Sequence, residues 1–137
     1  MKRLIWLASY PKSGNTWVRL FLEAYGHPDR ALDINTLDIS LHAGSRDLFD
    51  RVIGLEASDL LPAEIDRYRP DVYRQLAVEA DEPLFIKVHD GWRHNADGAP
   101  LFPPEVTAAT IYILRDPRGI APSFANHYHL SLDAAIE

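Results

Sequence analysis

The stretch LIWLASYPKSGNTWVRLFLEAYG, residues 4–26, holds an apolar run, a polar turn and a helical pattern in succession. Residues 4–8 form an apolar run of the length expected for a buried strand. Residues 9–14 are rich in turn-forming types. From Trp17 to about Gly26, apolar residues then recur at helical spacing. The stretch therefore predicts a strand, a loop and a helix, in that order.

Two later stretches add further strands. Residues 84–89, LFIKVH, and residues 110–114, TIYIL, are short apolar runs, and residues 115–119, RDPRG, turn the chain into another helical pattern. Strands that alternate with helices favour parallel pairing, so we predict an α/β fold with a parallel sheet flanked by helices. Sites in such sheets lie at the carboxyl ends of the strands.

The segments between these strands are less regular. Residues 27–60 are mixed in character and predict an irregular stretch with short helices, and residues 91–105 predict a loop rich in Gly and Pro. Two helix starts follow from proline, one at Pro62 and a second at Pro70, with the second helix reaching about residue 81.

Composition limits the class of protein. With 137 residues and 47% hydrophobic positions, the chain is expected to form a single domain over residues 1–137. The absence of cysteine excludes disulfides and thiolate zinc sites and fits a cytoplasmic protein. A net charge of −6 argues against nucleic-acid partners and anionic membranes. A small basic pocket remains compatible with that charge.

The first candidate motif is the loop at residues 10–17, YPKSGNTW. Backbone N–H groups of Gly14, Asn15 and Thr16 would lie at the start of a helix, which is a ready anion site. Lys12, and the hydroxyls of Ser13 and Thr16, would add donors. The lysine precedes the glycine, so this is not the nucleotide loop G-x-x-x-x-G-K-[ST]. The alternative is an ordinary turn with a solvated lysine.

The second candidate motif is Lys87-Val88-His89 at the end of the second predicted strand. Strand alternation places Lys87 and His89 on one face. His89 is suited to act as a general base, and Lys87 to stabilise developing negative charge. The alternative is a structural or merely exposed histidine.

The third candidate motif joins Arg115 to Ser123, eight residues further along the predicted helix. Arg115 can bind a phosphate through its planar guanidinium, and Ser123 can reach the same group if the ligand lies along the helix. The alternative is an Arg115 paired with a nearby carboxylate.

The remaining histidines and acids give no further site. His42 lies among polar loop residues with no detectable partner pattern, and the same holds for His27 and His94. The acidic residues lack metal-ligand spacing, so we expect no metal.

Taken in order, the three motifs resemble the cytosolic-type sulfotransferase family, which uses 3′-phosphoadenosine 5′-phosphosulfate (PAPS) and has a P-loop-like fold. The resemblance implies that the loop at residues 10–17 binds the 5′-phosphosulfate, with Lys12 at the bridging oxygen and leaving phosphate. It also implies that Trp17 stacks on the adenine. Arg115 and Ser123 would bind the 3′-phosphate.

The same resemblance assigns the chemistry. It implies that His89 is the catalytic base, that Lys87 acts at the sulfuryl group, and that the partner is a small-molecule acceptor with a hydroxyl or amine. Asn15 departs from the usual threonine, and Gly119 stands where an aspartate is common. The family's late G-x-x-G-x-x-K segment has no counterpart, so the chain resembles an N-terminal portion of that domain.

Two other functions compete with sulfuryl transfer. The first is a P-loop nucleotide kinase or related phosphotransferase, which the missing Gly-Lys-Ser/Thr and the missing carboxylate pattern for Mg²⁺ disfavour. The second is a catalytically silent nucleotide-binding fragment.

Overall fold

A computed structural model describes residues 3–29, 31 and 41–137. Three parallel strands form one sheet in the order β2-β1-β3, where β1 is Leu4–Ser9, β2 is Leu84–Val88 and β3 is Thr107–Ile113. The predicted parallel α/β architecture is confirmed. β3 begins earlier than the sequence predicted, and Thr107 accepts a hydrogen bond from Trp6 Nε1 at 2.9 Å. That contact lies between residues far apart in sequence, so a local pattern could not reveal it.

The helices lie in the long connection between β1 and β2 and in the segment that follows β3. Two 3₁₀ turns, Ala57–Asp59 and Asp133–Ala135, accompany four α-helices: α1 Asn15–Gly26, α2 Arg46–Ile53, α3 Pro62–Glu79 and α4 Pro117–Tyr128. The helix predicted after Gly14 is confirmed as α1. Short helices are confirmed in the described part of residues 27–60, whose other residues, 30 and 32–40, lie outside the described residues. Residues 91–105 form the predicted loop.

The prediction of separate helices starting at Pro62 and Pro70 is wrong. α3 runs through Pro70 without a break. A proline inside a helix removes one backbone hydrogen bond and costs about 3 kcal/mol. Pro70 is fully buried here, and the following turns bury Val72, Tyr73 and Leu76 against the sheet. Burial of one large apolar side chain contributes about 1.5–3 kcal/mol, so packing outweighs the local preference to start a new helix.

The main core lies between the sheet and the α2–α3 layer. Trp6 projects from the central strand and meets Tyr73 and Phe102 edge-on, with ring centroids 5.0 and 4.9 Å apart. Ile86 and Val88 complete this layer from β2. Because strand side chains alternate, the even-numbered positions of β1 face this core and the odd-numbered positions face away from it.

The opposite face of the sheet is covered by α1. A cavity of about 540 Å³ is lined by Ile5 and Leu7 from β1 and by Arg19 and Leu22 from α1. Leu7 pairs with Lys87 across the two strands, so the Lys87 side chain leaves the sheet on the same α1 side. The candidate site residues of β1 and β2 therefore share a face with the start of α1.

Within the described residues, none of the helices is both long and apolar enough to cross a membrane.

Candidate functional site

The loop after β1 is held in a strained turn. The Ser13 N–H donates to the Tyr10 carbonyl at 3.2 Å, which closes a four-residue turn with Pro11 in its second position. Lys12 follows with a φ of 66°, in the left-handed region that L side chains occupy at a cost of about 1–2 kcal/mol. Gly14 also has a positive φ, 99°, without that cost. The turn therefore fixes Lys12 immediately before the start of α1.

The backbone donors in the first turn of α1 have no hydrogen-bond partner among the described residues. Gly14 is the N-cap and provides no side-chain cap. The first backbone N–H to bond within the helix is that of Val18, which donates to the Gly14 carbonyl at 3.2 Å. Free N–H groups and the helix dipole make this end suited to a phosphate or sulfate. The Ser13 hydroxyl is also buried and has no partner among the described residues, so the loop offers an unsatisfied polar group to an anion.

Asn15 links α1 to β1 through its side chain. Its amide Nδ2 donates to the Leu7 carbonyl at 2.9 Å and to the Ser9 hydroxyl at 3.1 Å. The residue is only 5% exposed. Asn15 can therefore act on an anion through its backbone N–H, while its side chain fixes the helix against the strand.

A group of cations surrounds this loop. Burial lowers the pKa of Lys87 from the usual lysine value, and the positive charges of Arg19 and Lys12 lower it further. In the part of the chain that the structure describes, none of these three residues forms an ion pair. Other arginines do pair, as Arg67 does with Asp97 at 2.7 Å. A cluster of cations that forms no ion pair with the described residues favours an anionic ligand.

Arg19 is a site residue that the sequence reasoning missed. Its Nε is buried without a hydrogen-bond partner among the described residues, and burial lowers the pKa of its guanidinium. It lies four residues after Asn15 on α1, and residues at that spacing share one helix face. Since Asn15 belongs to the motif at residues 10–17, this spacing was the signal that could have identified Arg19.

His89 is fixed at the end of β2 by the end of β1. Its Nδ1 lies 2.7 Å from the Ser9 carbonyl oxygen and 3.3 Å from the Ser9 hydroxyl. A carbonyl only accepts hydrogen bonds, so Nδ1 must carry the proton. In the neutral ring, Nε2 then bears the free lone pair, which is the atom that a general base requires.

The structure gives His42 a neighbour that the sequence pattern did not indicate. His42 lies beside His89, with ring centroids 6.0 Å apart. The backbone around it extends the sheet: the Lys87 N–H donates to the Leu41 carbonyl at 3.0 Å, and the Ala43 N–H donates to the Lys87 carbonyl at 2.9 Å. This neighbour is distant in sequence. Across the described residues, no group of His, Asp and Glu has an arrangement suited to a metal ion.

Hydrogen bonds from Arg69 connect the segments that contain the two histidines. It is buried in α3 and donates to Asp90 at 2.7 Å and to the Tyr73 hydroxyl at 2.9 Å. The Tyr73 hydroxyl donates in turn to the Ala43 carbonyl at 3.0 Å. Burial raises the pKa of Tyr73 to about 12, so this hydroxyl keeps its proton. Arg69 therefore holds Asp90, next to His89, by a direct hydrogen bond, and it holds Ala43, next to His42, through Tyr73.

Arg115 reaches the loop from the end of β3. Its Nη1 donates to the Lys12 carbonyl at 3.0 Å. The nearby carboxylate of Asp116 pairs with Arg118 instead, at 2.6 Å, and Arg115 forms no ion pair with a described residue. The lack of a side chain at Gly119 leaves room for the Arg115 guanidinium, because a Cβ there would lie 3.3 Å from Arg115 Nε.

Three further residues of the motifs form no side-chain hydrogen bond with the described residues. Trp17 lies in the first turn of α1 and is 75% exposed, so a face of its indole is open. Thr16 is exposed beside it. Ser123 is half-buried in the second turn of α4, and its hydroxyl makes no hydrogen bond with a described residue. The structure thus joins Arg115 to the loop and leaves Ser123 without a contact to Arg115.

Comparison with known proteins identifies the family. No curated protein matches the chain. A family model described as "Sulfotransferase domain" matches residues 2–134, nearly the whole chain. The match includes the loop after β1, the end of β2 and the start of α4, which are the elements that meet at the site. The chain belongs to the sulfotransferase family.

Proposed function

We propose that the protein transfers a sulfuryl group from PAPS to a hydroxyl or amine of a small-molecule acceptor, with His89 as general base. The observation that carries this proposal is the position of His89 Nε2. This nitrogen carries the lone pair of a histidine that is fixed at a strand end, close to the N-terminus of α1 and to cations that form no ion pair with the described residues. A base beside an anion site is what sulfuryl transfer to a neutral nucleophile requires.

The loop supplies the contacts for the 5′ end of the donor. The backbone N–H groups at the start of α1, the Ser13 hydroxyl and the Lys12 amine can all donate to phosphate and sulfate oxygens. Buried donors with no partner gain the most from such a ligand, because they otherwise remain unsatisfied. The Ser13 hydroxyl therefore supports this assignment most directly.

The other end of the donor would lie along α1 and α4. The open indole of Trp17 suits stacking on adenine. Arg115, which forms no ion pair with a described residue, suits a 3′-phosphate, and Ser123 would add a hydroxyl to that phosphate. An acidic chain can hold such a polyanion because its cations are concentrated here, whereas several arginines elsewhere are paired.

The reaction breaks the S–O bond of the donor and forms a new S–O or S–N bond to the acceptor. PAPS, when bound, supplies a sulfuryl group attached to a phosphate leaving group. The acceptor oxygen or nitrogen bonds to sulfur while the bond from sulfur to the phosphate oxygen breaks, and that electron pair leaves with the phosphate. His89 Nε2 takes the proton of the acceptor. Lys12 stabilises charge on the leaving phosphate, and Lys87 stabilises charge on the transferring group.

Two measurements on the full chain test this proposal. Titration calorimetry with 3′-phosphoadenosine 5′-phosphate (PAP), the product form of the donor, is expected to show binding in the presence of EDTA. Radiolabelled PAPS is then incubated with phenolic, aliphatic-hydroxyl and amine acceptors, and labelled product is expected. Binding of ATP with Mg²⁺ in place of PAP would indicate a phosphotransferase. PAP binding without any sulfated product would indicate a silent nucleotide-binding protein.

A further inference from the structure

We propose that His42 is a second histidine of the active site, which holds a hydroxyl acceptor by donating a hydrogen bond from its Nε2–H to the attacking oxygen. The inference rests on the proposed function, because it takes His89 as the base. It adds a contact to the acceptor that none of the three motifs contains.

The two imidazoles have complementary tautomers. His89 donates from Nδ1 to the Ser9 carbonyl, which leaves Nε2 as an acceptor. His42 shows the reverse arrangement, because its Nδ1 accepts a hydrogen bond from the Gly44 N–H at 3.1 Å. A neutral imidazole that accepts at Nδ1 carries its proton at Nε2. One ring therefore offers a lone pair and the other offers an N–H.

The spacing of the rings suits one shared atom. Their centroids are 6.0 Å apart and their planes are tilted by 58°. A hydrogen bond between a ring nitrogen and an oxygen spans about 2.9 Å, so the separation of the rings leaves room for one hydroxyl oxygen between them. The parallel bridge between His42 and Lys87 also places the His42 side chain on the α1 side of the sheet, with Lys87.

The surroundings of His42 favour its neutral form. Partial burial lowers the pKa of His42, and the positive charge of Lys87 lowers it further. Arg69 acts in the same direction, and Asp90 is the group that opposes them. At neutral pH the ring is therefore an uncharged donor, which can hold an acceptor without repelling the cations of the donor site.

Gly44 sets the position of the His42 ring. A Cβ at residue 44 would lie 3.2 Å from His42 Cε1 and 3.4 Å from its Nδ1, closer than the ring can tolerate without moving. The backbone of Gly44 does not have a positive φ, so alanine can adopt its conformation. Gly44→Ala is therefore a variant that displaces the ring while keeping the histidine.

His89 and His42 have different roles in the transfer step. As the new bond to sulfur forms, the proton of the acceptor passes to His89 Nε2 and the electron pair of the broken bond leaves with the phosphate. The proton of His42 stays on its Nε2 throughout. His42 therefore affects how the acceptor is bound and aimed, and it has no direct effect on binding of the donor.

Kinetics of the full chain with PAPS and 4-nitrophenol as the acceptor probe test this role. His42→Leu is expected to lower kcat/KM for 4-nitrophenol about tenfold, the value of one hydrogen bond, and to leave PAP affinity unchanged. His42→Gln, which can donate from its amide, should recover part of the loss, and Gly44→Ala should give an intermediate value. His27→Ala serves as the control, because His27 lies at the far end of α1. An unchanged kcat/KM in His42→Leu, or an equal loss of PAP affinity, overturns the proposal.

A second measurement does not depend on turnover. Long-range proton–nitrogen NMR spectra of the imidazoles at neutral pH are expected to show Nε2–H for His42 and Nδ1–H for His89. A charged ring or an Nδ1–H tautomer at His42 counts against His42 alone. PAP binding with no sulfation of any acceptor counts against the proposed function instead, so the two failures are distinguishable.

Discussion

Arg115 Nη1 donates a hydrogen bond to the carbonyl oxygen of Lys12 at 3.0 Å, so the end of β3 is tied to the loop that follows β1. His89 makes the matching contact from the other side, to Ser9 at the end of β1. The first contact reaches the loop that follows the central strand, and the second reaches the last residue of that strand. The three motifs therefore meet around β1, with β1 itself providing the carbonyl that sets the His89 tautomer.

Removal of the Lys12 amine should weaken donor binding. A charge-assisted hydrogen bond contributes about 1.5–3 kcal/mol, so Lys12→Ala should reduce PAP affinity roughly tenfold to a hundredfold. Titration calorimetry with the folded variant measures the change. Arg67→Ala is a suitable control, since Arg67 is an exposed cation of α3 paired with Asp97. Equal PAP affinity in Lys12→Ala and the wild type would remove Lys12 from the site.

Arg115 should distinguish ligands by their 3′-phosphate. Arg115→Ala is expected to reduce affinity for PAP far more than affinity for AMP, which lacks that phosphate. Arg118→Ala is the matched control, because Arg118 is a neighbouring exposed arginine already paired with Asp116. Gly119→Ala should reproduce part of the Arg115→Ala loss, because its Cβ would displace the Arg115 guanidinium. Equal losses for both ligands would make Arg115 a structural residue.

Replacement of His89 by asparagine should remove the catalytic base and leave the fold intact. An asparagine can place an N–H near the position of Nδ1 and keep the bond to Ser9, yet it has no base at the position of Nε2. His89→Asn is therefore expected to lower kcat by about 10²–10⁴ while PAP affinity and thermal stability change little. Steady-state kinetics, calorimetry and thermal melts measure these three quantities. A wild-type kcat in this variant would require another base, and His94 in the adjoining loop would be examined next.

The pH dependence of donor binding should reveal Lys87. Its pKa is lowered by burial and by the charges of Arg19 and Lys12, so its ammonium loses its proton at a lower pH than an ordinary lysine does. Anion binding requires the protonated form, and the affinity for PAPS, measured without an acceptor, should therefore fall with rising pH before ordinary lysines titrate. Lys87→Arg, which stays charged, should remove this early fall. The same alkaline profile in both proteins would assign the fall to another group.

The link between Arg69 and Asp90 should stabilise the fold and hold both histidines. Burial of Arg69 is compensated by its hydrogen bond to Asp90, so Asp90→Asn leaves part of a buried charge without its partner. Loss of one partner of a buried pair typically costs about 3–5 kcal/mol in the free energy of unfolding. Urea denaturation measures this cost. Asp71→Asn, at an exposed ion pair of the same helix, should change stability by less than about 1 kcal/mol.

The sign of the pH effect on this pair follows from Asp90. Burial would raise the pKa of Asp90, but the hydrogen bond and charge of Arg69 outweigh it and the pKa is lowered. A carboxyl group with a lowered pKa stabilises the native state above its unfolded pKa and loses that contribution as the pH falls through the native value. The stability difference between the wild type and Asp90→Asn should therefore be full at neutral pH and shrink in acid. A difference that does not vary with pH would contradict the pairing.

The sequence by itself determined the local elements and the three motifs. Residues 4–26 predict β1, the loop and α1, because a short apolar run, turn formers and helical spacing are properties of neighbouring residues. Parallel pairing then places the ends of the strands at one edge. That rule predicts that Lys12, Lys87 and His89 lie at this edge of the sheet, without any knowledge of packing.

The tertiary structure alone decided what surrounds those motifs. His42 meets His89 because residues 41–43 pair with β2, and Arg69 reaches the same place from α3. Tertiary contacts also explain why α3 continues through Pro70 and why β3 begins before residue 110. In each case the deciding contact joins residues far apart in the chain, where packing and burial outweigh local preference. Periodicity and motif spacing report neighbouring residues, so they carry no signal for such contacts.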